Sequence, residues 1–392
     1  MEDILKIVSA DVEKNFYDPH MKGLDWPALT EEARQRIRAA NNTGQMILAI
    51  VALLDKLDDS HTYFIPPRLT QRADFGFAAR PYGEDIRVYE VADKGPAAKS
   101  GLEVGAKIRS LNGIPVDRSN ITEILHLLQR VVPVAALDVE VLPPGEQART
   151  IRIPAHMIVT QAHQYLDNVF RAADMQRAMD VHVSFSHRDY GDGVTYIAVP
   201  RFTGQPDETY SAVKQAEHAH ALILDLRGNP GGRIDTLLAF LGFFDEQPRL
   251  MAKRVLRSQS ENWTVKPQYS GFNGSIVVLV DSGSASASEV AARYLQMFHK
   301  AEVLGDRTGG EVNEGHFIPG KIGAQFIMPF GVMVTHAKLV MSDGGELEGH
   351  GVIPDSLCIP TPEDLRQKND PCLDQAIALA KKSLTDKSQP VN

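Results

Sequence analysis

The chain has 392 residues, 43% hydrophobic and 23% charged, the proportions of an ordinary globular protein long enough for two or three domains. Its 41 Lys and Arg against 50 Asp and Glu give a net charge of −9, which argues against a nucleic-acid backbone as the main partner. No apolar run of about 18 residues is present, so no transmembrane segment is predicted. Glu2, Asp3, Asp11 and Glu13 set residues 1–20 apart from a signal peptide, so the chain is expected in the cytoplasm, or in the periplasm or outside the cell if an export signal has been trimmed. Cys358 and Cys372 are close enough in sequence for a disulfide that closes a short loop.

Residues 1–67 read as a helical domain. Ile4, Val8, Val12 and Phe16 recur at helical spacing up to Tyr17-Asp18-Pro19. A second helix is predicted over 28–39, and a third from Thr43 as N-cap, carrying Met46, Ile47, Ile50, Leu53 and Leu54. It runs into the polar turn Asp58-Asp59-Ser60-His61. From about Pro66 short strands take over. Residues 86–91 alternate, GPAAKSGL follows as a short helix, and KIRSLNGIPV is a strand turning at Asn112-Gly113. Asn120 and Glu123 have capping-box spacing before the helix ITEILHLLQRVV, and 137–142 with 149–153 form a hairpin.

The run GPAAKSGLEVGAKIRSLNGIPV resembles the signature of a PDZ domain, covering 68–156, with Asp74-Phe75-Gly76-Phe77 where that family has its carboxylate-binding loop. The resemblance implies that Phe75, Gly76 and Phe77 bind a peptide C-terminus. Successive backbone N–H groups form a nest for the carboxylate, and the flanking strand and helix offer an edge for β-augmentation. Ala106-Lys107 stands where many relatives carry an acidic residue.

Residues 157–392 read as α/β. Strands are predicted over 194–199 and 221–226, with a helix over 208–220 between them. The second strand ends in Arg227-Gly228-Asn229-Pro230-Gly231-Gly232, and IDTLLAFLGFF restarts a helix. This glycine turn has neither the Gly-Lys-Ser/Thr of a phosphate loop nor G-x-G-x-x-G spacing, so its small residues instead let backbone N–H groups approach a substrate. The apolar run 276–280 is broken by Asp281-Ser282-Gly283, and Ser284, Ser286 and Ser288 lead into the helical VAARYLQMF. Hydroxyls at a helix N-terminus face free N–H groups and the positive end of the dipole, a place for a nucleophile and an oxyanion, although serine there is also an ordinary cap. Strand 302–305, Thr308-Gly309-Gly310-Glu311, GELEGHGVIPD and a last helix opened by Asp370-Pro371 complete the chain. His218 and His220 share no helix face, and no metal is predicted.

DLRGNPGG, the SGSASASE unit and GHGVIPD, in this order after a PDZ-like segment, resemble the C-terminal processing peptidase family. That resemblance implies a ClpP/crotonase-like α/β spiral peptidase core with an N-terminal helical segment and an inserted PDZ domain. It implies Ser286 as nucleophile, and an oxyanion hole from the N–H of Ala287 with that of Gly231 or Gly232. One branch uses lysine as base after a Thr-x-Gly motif, where this chain has Glu311. Tricorn-type peptidases instead pair a Ser-His ahead of the PDZ domain with a glutamate near the Gly-Val-x-Pro-Asp motif. Ser60-His61 and Glu348 fit, with Glu346 as the alternative acid and His316 and His350 as competing bases. Ser286, His61, Ser60 and Glu348 then form a relay on triad logic. The implied activity is serine endopeptidase cleavage of extended polypeptides through an acyl-enzyme, with no cofactor; a homo-oligomer is left open. The rival is a catalytically silent peptide- or ligand-binding protein on the same fold.

Overall fold

The computed structural model describes residues 1–67, 71–159, 185–268, 271–323 and 328–387. The expected PDZ start at 68 lies outside them. Three helices open the chain, Glu2–Asn15, Trp26–Ala39 and Thr43–Leu54. Ile4, Leu5, Val8 and Val12 form the buried stripe of the first. The second begins ahead of its expected start because Asp25 caps it, accepting the Ala28 N–H, with Pro27 in the first turn. The third is capped by Asn42, whose side chain accepts from Gln45 N. Thr43, the expected cap, is already helical.

These helices share one core with Phe64, Phe330, Val332 and Val334 from strands. The strand Tyr63–Ile65 pairs antiparallel with Met328–Met341, which also pairs with Arg249–Leu256 and Glu314–Ile322; Ser260–Val265 completes this sheet beyond 249–256. The Ser60-His61 turn is thereby fixed to a sheet built from the far end of the chain.

A second sheet runs Phe77–Tyr82, Asp85–Val91, Lys107–Leu111, Ala136–Leu142, Arg149–Pro154 around its own core of Ile86, Val88, Ile108, Leu137 and Val139. Asn112 (φ 50°) and Gly113 (φ 77°) make the tight turn that their identities demand. The capping box at Asn120 does not form. Asn120 Oδ1 turns back to accept the Asp117 N–H at 2.9 Å, and the helix Ile121–His126 starts without a side-chain cap.

The central sheet has the order Ser186–Asp189, Val194–Ala198, Ala221–Asp225, Ser275–Val280, Glu302–Gly305, Ser356–Leu357, parallel from the second strand onward. Every residue of 221–225 is buried, with Leu222 and Leu224 in one core and Ala221 and Ile223 in another on the opposite face. That two-sided burial explains the unbroken apolar runs. The helix predicted over 208–220 is shorter, Pro206–Lys214. Past it the chain tightens into i→i+3 bonds (Ala216 N to Val213 O, Glu217 N to Lys214 O), and His220 N then bonds to Gly193 O to enter the sheet. Cys358 and Cys372 form a disulfide that ties 358 to the last helix, Pro371–Lys387. In a parallel sheet the groups that meet a ligand gather beyond the carboxyl ends of the strands. Asp225 and Val280 end adjacent strands there.

Candidate active site

The three alternate serines have different surroundings. Ser284 is fully buried; its hydroxyl accepts from Asp281 N at 3.0 Å and donates to Leu226 O at 2.8 Å, holding the two turns together. Ser288 is fully buried on the helix Ala287–His299. Ser286 alone is partly exposed. Its backbone has φ 56° and ψ −122°, a conformation seldom adopted by a residue with a Cβ. Without the glycine-flanked motif of a nucleophile elbow, the chain still makes the strained strand-to-helix turn that presents a hydroxyl.

Glu289 holds that strained turn in place. Its fully buried carboxylate accepts the Ser286 and Glu311 N–H groups on Oε2, both at 2.9 Å. On Oε1 it accepts the Thr308 hydroxyl at 2.6 Å and the Gly310 N–H at 2.7 Å. Burial pushes this carboxyl up to about 7, against the pull of the four donors.

Opposite Ser286 lies the glycine turn. A Cβ on Gly231 would meet Ser286 Cβ at 2.7 Å and Ala287 N at 2.9 Å, and its φ is +93°, so both space and backbone require glycine. The Gly231 N–H is already donated to Asn229 Oδ1 at 2.7 Å. The N–H groups of Gly232 and Ala287 have no acceptor among the described residues. Of the three expected oxyanion donors these two are free to act, and Gly231 serves by its lack of a side chain. Asn229, fully buried and anchored by Nδ2 on Val199 O at 2.7 Å, fixes the turn.

Ser60 Oγ and His61 Nδ1 are 2.7 Å apart. Glu348 reaches the same residue, but through its backbone: Oε1 accepts the Ser60 N–H at 3.0 Å, while Oε2 accepts Val312 N at 2.9 Å and Asn313 N at 3.0 Å. Glu346 pairs with Lys338 at 2.7 Å on the sheet surface. His316 faces His336, ring centroids 5.9 Å apart, and His350 Nδ1 lies 2.8 Å from Glu348 O. The Glu311 carboxylate is within electrostatic reach of both His61 and Glu348, and its own N–H is bound by Glu289.

Sequence reasoning missed Asp59. Its Oδ1 accepts His61 N at 3.2 Å, Thr62 Oγ1 at 3.0 Å and the Thr335 hydroxyl, and its Oδ2 accepts Asn313 Nδ2 at 3.1 Å. The signal was one extra acid in the Asp-Asp-Ser-His turn, but its partners lie at the other end of the chain. In the PDZ-like loop, Phe75 is fully buried in the local core and Gly76 (φ +73°) donates its N–H to Asp74 Oδ1 at 2.9 Å. Phe77, half-buried, begins the edge strand. Among the described residues no cluster of His, Cys, Asp and Glu has the geometry of a metal site.

A partly exposed serine on a strained turn, free N–H groups beside it and a Ser-His pair held by Glu348 are the kind of set a serine-type peptidase uses. The family comparisons agree. Residues 193–357 match peptidase family S41, residues 87–135 a PDZ domain and residues 2–48 the tricorn protease C1 domain. The chain is thus similar to S41 serine peptidases with a PDZ domain, of the C-terminal processing and tricorn kind. It is 23% identical over 388 residues to a tricorn protease homolog of Streptomyces coelicolor, covering 93% of this chain and 31% of that one. It is 23% identical over 362 residues to the carboxyl-terminal-processing protease of Synechocystis, covering 88% of this chain and 78% of the relative. In fold it resembles mature CPAF (TM-score 0.70, 14% identity, 100% of this chain and 98% of that one). It also resembles the photosystem II D1 C-terminal processing protease (TM-score 0.54, 21% identity, 92% and 93%).

Proposed function

We propose that this chain is a serine endopeptidase in which Ser286 attacks the scissile carbonyl and His61 takes its proton. The Ser60 hydroxyl at 2.7 Å from His61 Nδ1 supports this reading most strongly. With Nδ1–H donated to that oxygen, Nε2 is left as the acceptor a base requires. Glu348 orients Ser60 through the main chain and supplies negative charge behind the imidazolium. The Gly232 and Ala287 N–H groups receive the oxyanion at the helix N-terminus. The serine–carbonyl adduct expels the amine, which takes its proton from His61, and water then hydrolyses the acyl-enzyme by the reverse path.

The substrates are extended polypeptides. The division that supports this work is a helical unit at 1–67 that carries the base, a PDZ domain at 68–156, and a catalytic core at 157–392. The edge of Phe77–Tyr82 that no described strand pairs suits, at its Phe77 end, a peptide strand that ends at the loop of Phe75, Gly76 and Phe77. The test is fluorophosphonate labelling together with cleavage of an unfolded protein. Wild type is expected to label at Ser286 and to cleave, while Ser286→Ala does neither and His61→Ala loses turnover. A wild-type chain that neither labels nor cleaves would instead be a binding protein on this fold.

A further inference from the structure

Asp281 follows the central strand ahead of the nucleophile turn, and in sequence it reads only as a strand breaker. In the structure its Oδ1 accepts the Gly228 N–H at 2.8 Å and the Gly283 N–H at 2.9 Å. Gly228 opens the turn that ends in Gly231-Gly232, and Gly283 opens the turn that ends in Ser286. One carboxylate oxygen therefore sets the spacing between the two halves of the oxyanion site. Ser284 adds a second tie between the same turns through Leu226 O.

The other oxygen, Oδ2, is buried and has no hydrogen-bond partner among the described residues, but it lies 2.7 Å from Arg80 Nη1. Asp281 is 9% exposed, so its charge is compensated by this arginine and not by water. Arg80 comes from the PDZ strand Phe77–Tyr82. It is held in turn by Tyr82 and Tyr89, whose ring centroids lie 5.1 and 5.0 Å from its guanidinium carbon, and by Nε donation to Tyr82 Oη at 3.1 Å. Its neighbours dock the same strand to the core: Ser282 Oγ donates to Pro81 O at 2.8 Å, and Gly83 N donates to Asp306 Oδ2 at 2.9 Å.

We infer that Arg80 is a positioning residue for the peptide-bond chemistry: from the PDZ domain it fixes Asp281, and Asp281 holds the Gly228–Gly232 and Gly283–Ser286 turns at the separation the oxyanion needs. Arg80 touches no reacting atom. Its effect falls on the transition state, because the oxyanion donors must sit correctly for the tetrahedral adduct while ground-state binding of an extended peptide is spread over other contacts. The inference rests on Ser286 as nucleophile for its kinetic arm only.

The experiment compares wild type, Arg80→Gln, Arg80→Lys, Asp281→Asn and the double variant Arg80→Gln/Asp281→Asn, by cleavage of a short chromogenic peptide and by amide hydrogen exchange. Arg80→Gln is expected to lower kcat by about tenfold or more with KM nearly unchanged, in line with a small displacement of catalytic groups. Exchange is expected to accelerate in the peptides that hold Gly228 and Gly283 and not in the rest of the PDZ sheet. Arg80→Lys keeps the charge, guards against a variant that does not fold, and is expected to recover most of kcat. In the double variant the buried charge is gone, so its loss is expected to be smaller than the sum of the separate effects. Unchanged exchange at both glycines overturns the inference whatever the activity does, and so does unchanged kcat in a wild type that labels at Ser286. Should wild type show no turnover, the proposed activity fails while the exchange arm still decides the role of Arg80.

Discussion

Replacing Glu289 with Gln separates the needs of the fold from those of the site. The carboxylate accepts two donors on each oxygen, four in all. Glutamine keeps one accepting oxygen and turns an NH2 toward the remaining pair, so two buried donors lose their partner, at about 1–3 kcal/mol each. Against this, the buried charge disappears. A carboxyl raised from 4.5 to about 7 is disfavoured in its ionised form by about 3 kcal/mol at pH 8. The two effects nearly offset, and the net loss of stability is expected to be at most about 3 kcal/mol. Activity has no such offset, because relief of desolvation is felt by the whole fold while the released N–H groups belong to Ser286 and Glu311. A fall in kcat of about 100-fold is expected, the scale of an ångström-sized misplacement of a nucleophile. Chemical denaturation at pH 8 measures the first quantity, and the rate of fluorophosphonate labelling with peptide turnover measures the second. A folded Glu289→Gln enzyme within about fivefold of wild-type kcat would refute the role of this carboxylate in holding the nucleophile turn.

The same group predicts opposite responses of stability and activity to pH. Folded Glu289 binds its proton more tightly than the unfolded chain does. The stability it contributes is therefore fully present below about pH 4.5 and is lost as pH rises through about 7, a slope that denaturation of Glu289→Gln should lack. Activity needs the ionised acceptor and is expected to fall as pH drops through about 7. Gly231→Ala places a methyl 2.7 Å from Ser286 Cβ at a φ of +93°, and at least a 100-fold loss of kcat is expected by the same peptide assay. Ser60→Ala frees His61 Nδ1 and should cost about 10- to 100-fold in kcat, whereas Glu311→Gln, which leaves the Ser60–His61 pair intact, should cost less than about fivefold; the reverse order would show that the base has been misassigned. Asp59→Asn disturbs a carboxylate that accepts four hydrogen bonds and should lower stability by about 2–4 kcal/mol in a denaturant titration.

Much of the site is legible in sequence because its chemistry is local. Ser286, Ala287 and Glu289 lie in one turn, the glycines at 231 and 232 lie in another, and each stretch sits between an apolar strand and a helical pattern. Asp281 and Asp59 were not legible. Each looks like an ordinary turn acid, and its meaning comes from partners far off in sequence, Arg80 for one and Thr335 and Asn313 for the other. The sheet that anchors the Ser60-His61 turn went unread for a related reason. Glu314–Ile322 contains Gly315, Pro319 and Gly320, which read as loop, yet it pairs along Met328–Met341. Cap expectations erred at two helices: Asn42 took the cap from Thr43, and Asn120, although it precedes Ile121 as expected, spent its side chain on Asp117.

The contact between Ser60 and Glu348 spans 288 positions of sequence. A ribosome makes the proposed base His61 well before the carboxylate of Glu348, with the proposed nucleophile Ser286 between them. A nascent chain that stops short of Glu348 carries both a histidine and a serine but not the group that orders one toward the other. On the proposed assignment, synthesis order acts as a safety catch, because the set is complete only once Glu348 has been translated and has met Ser60.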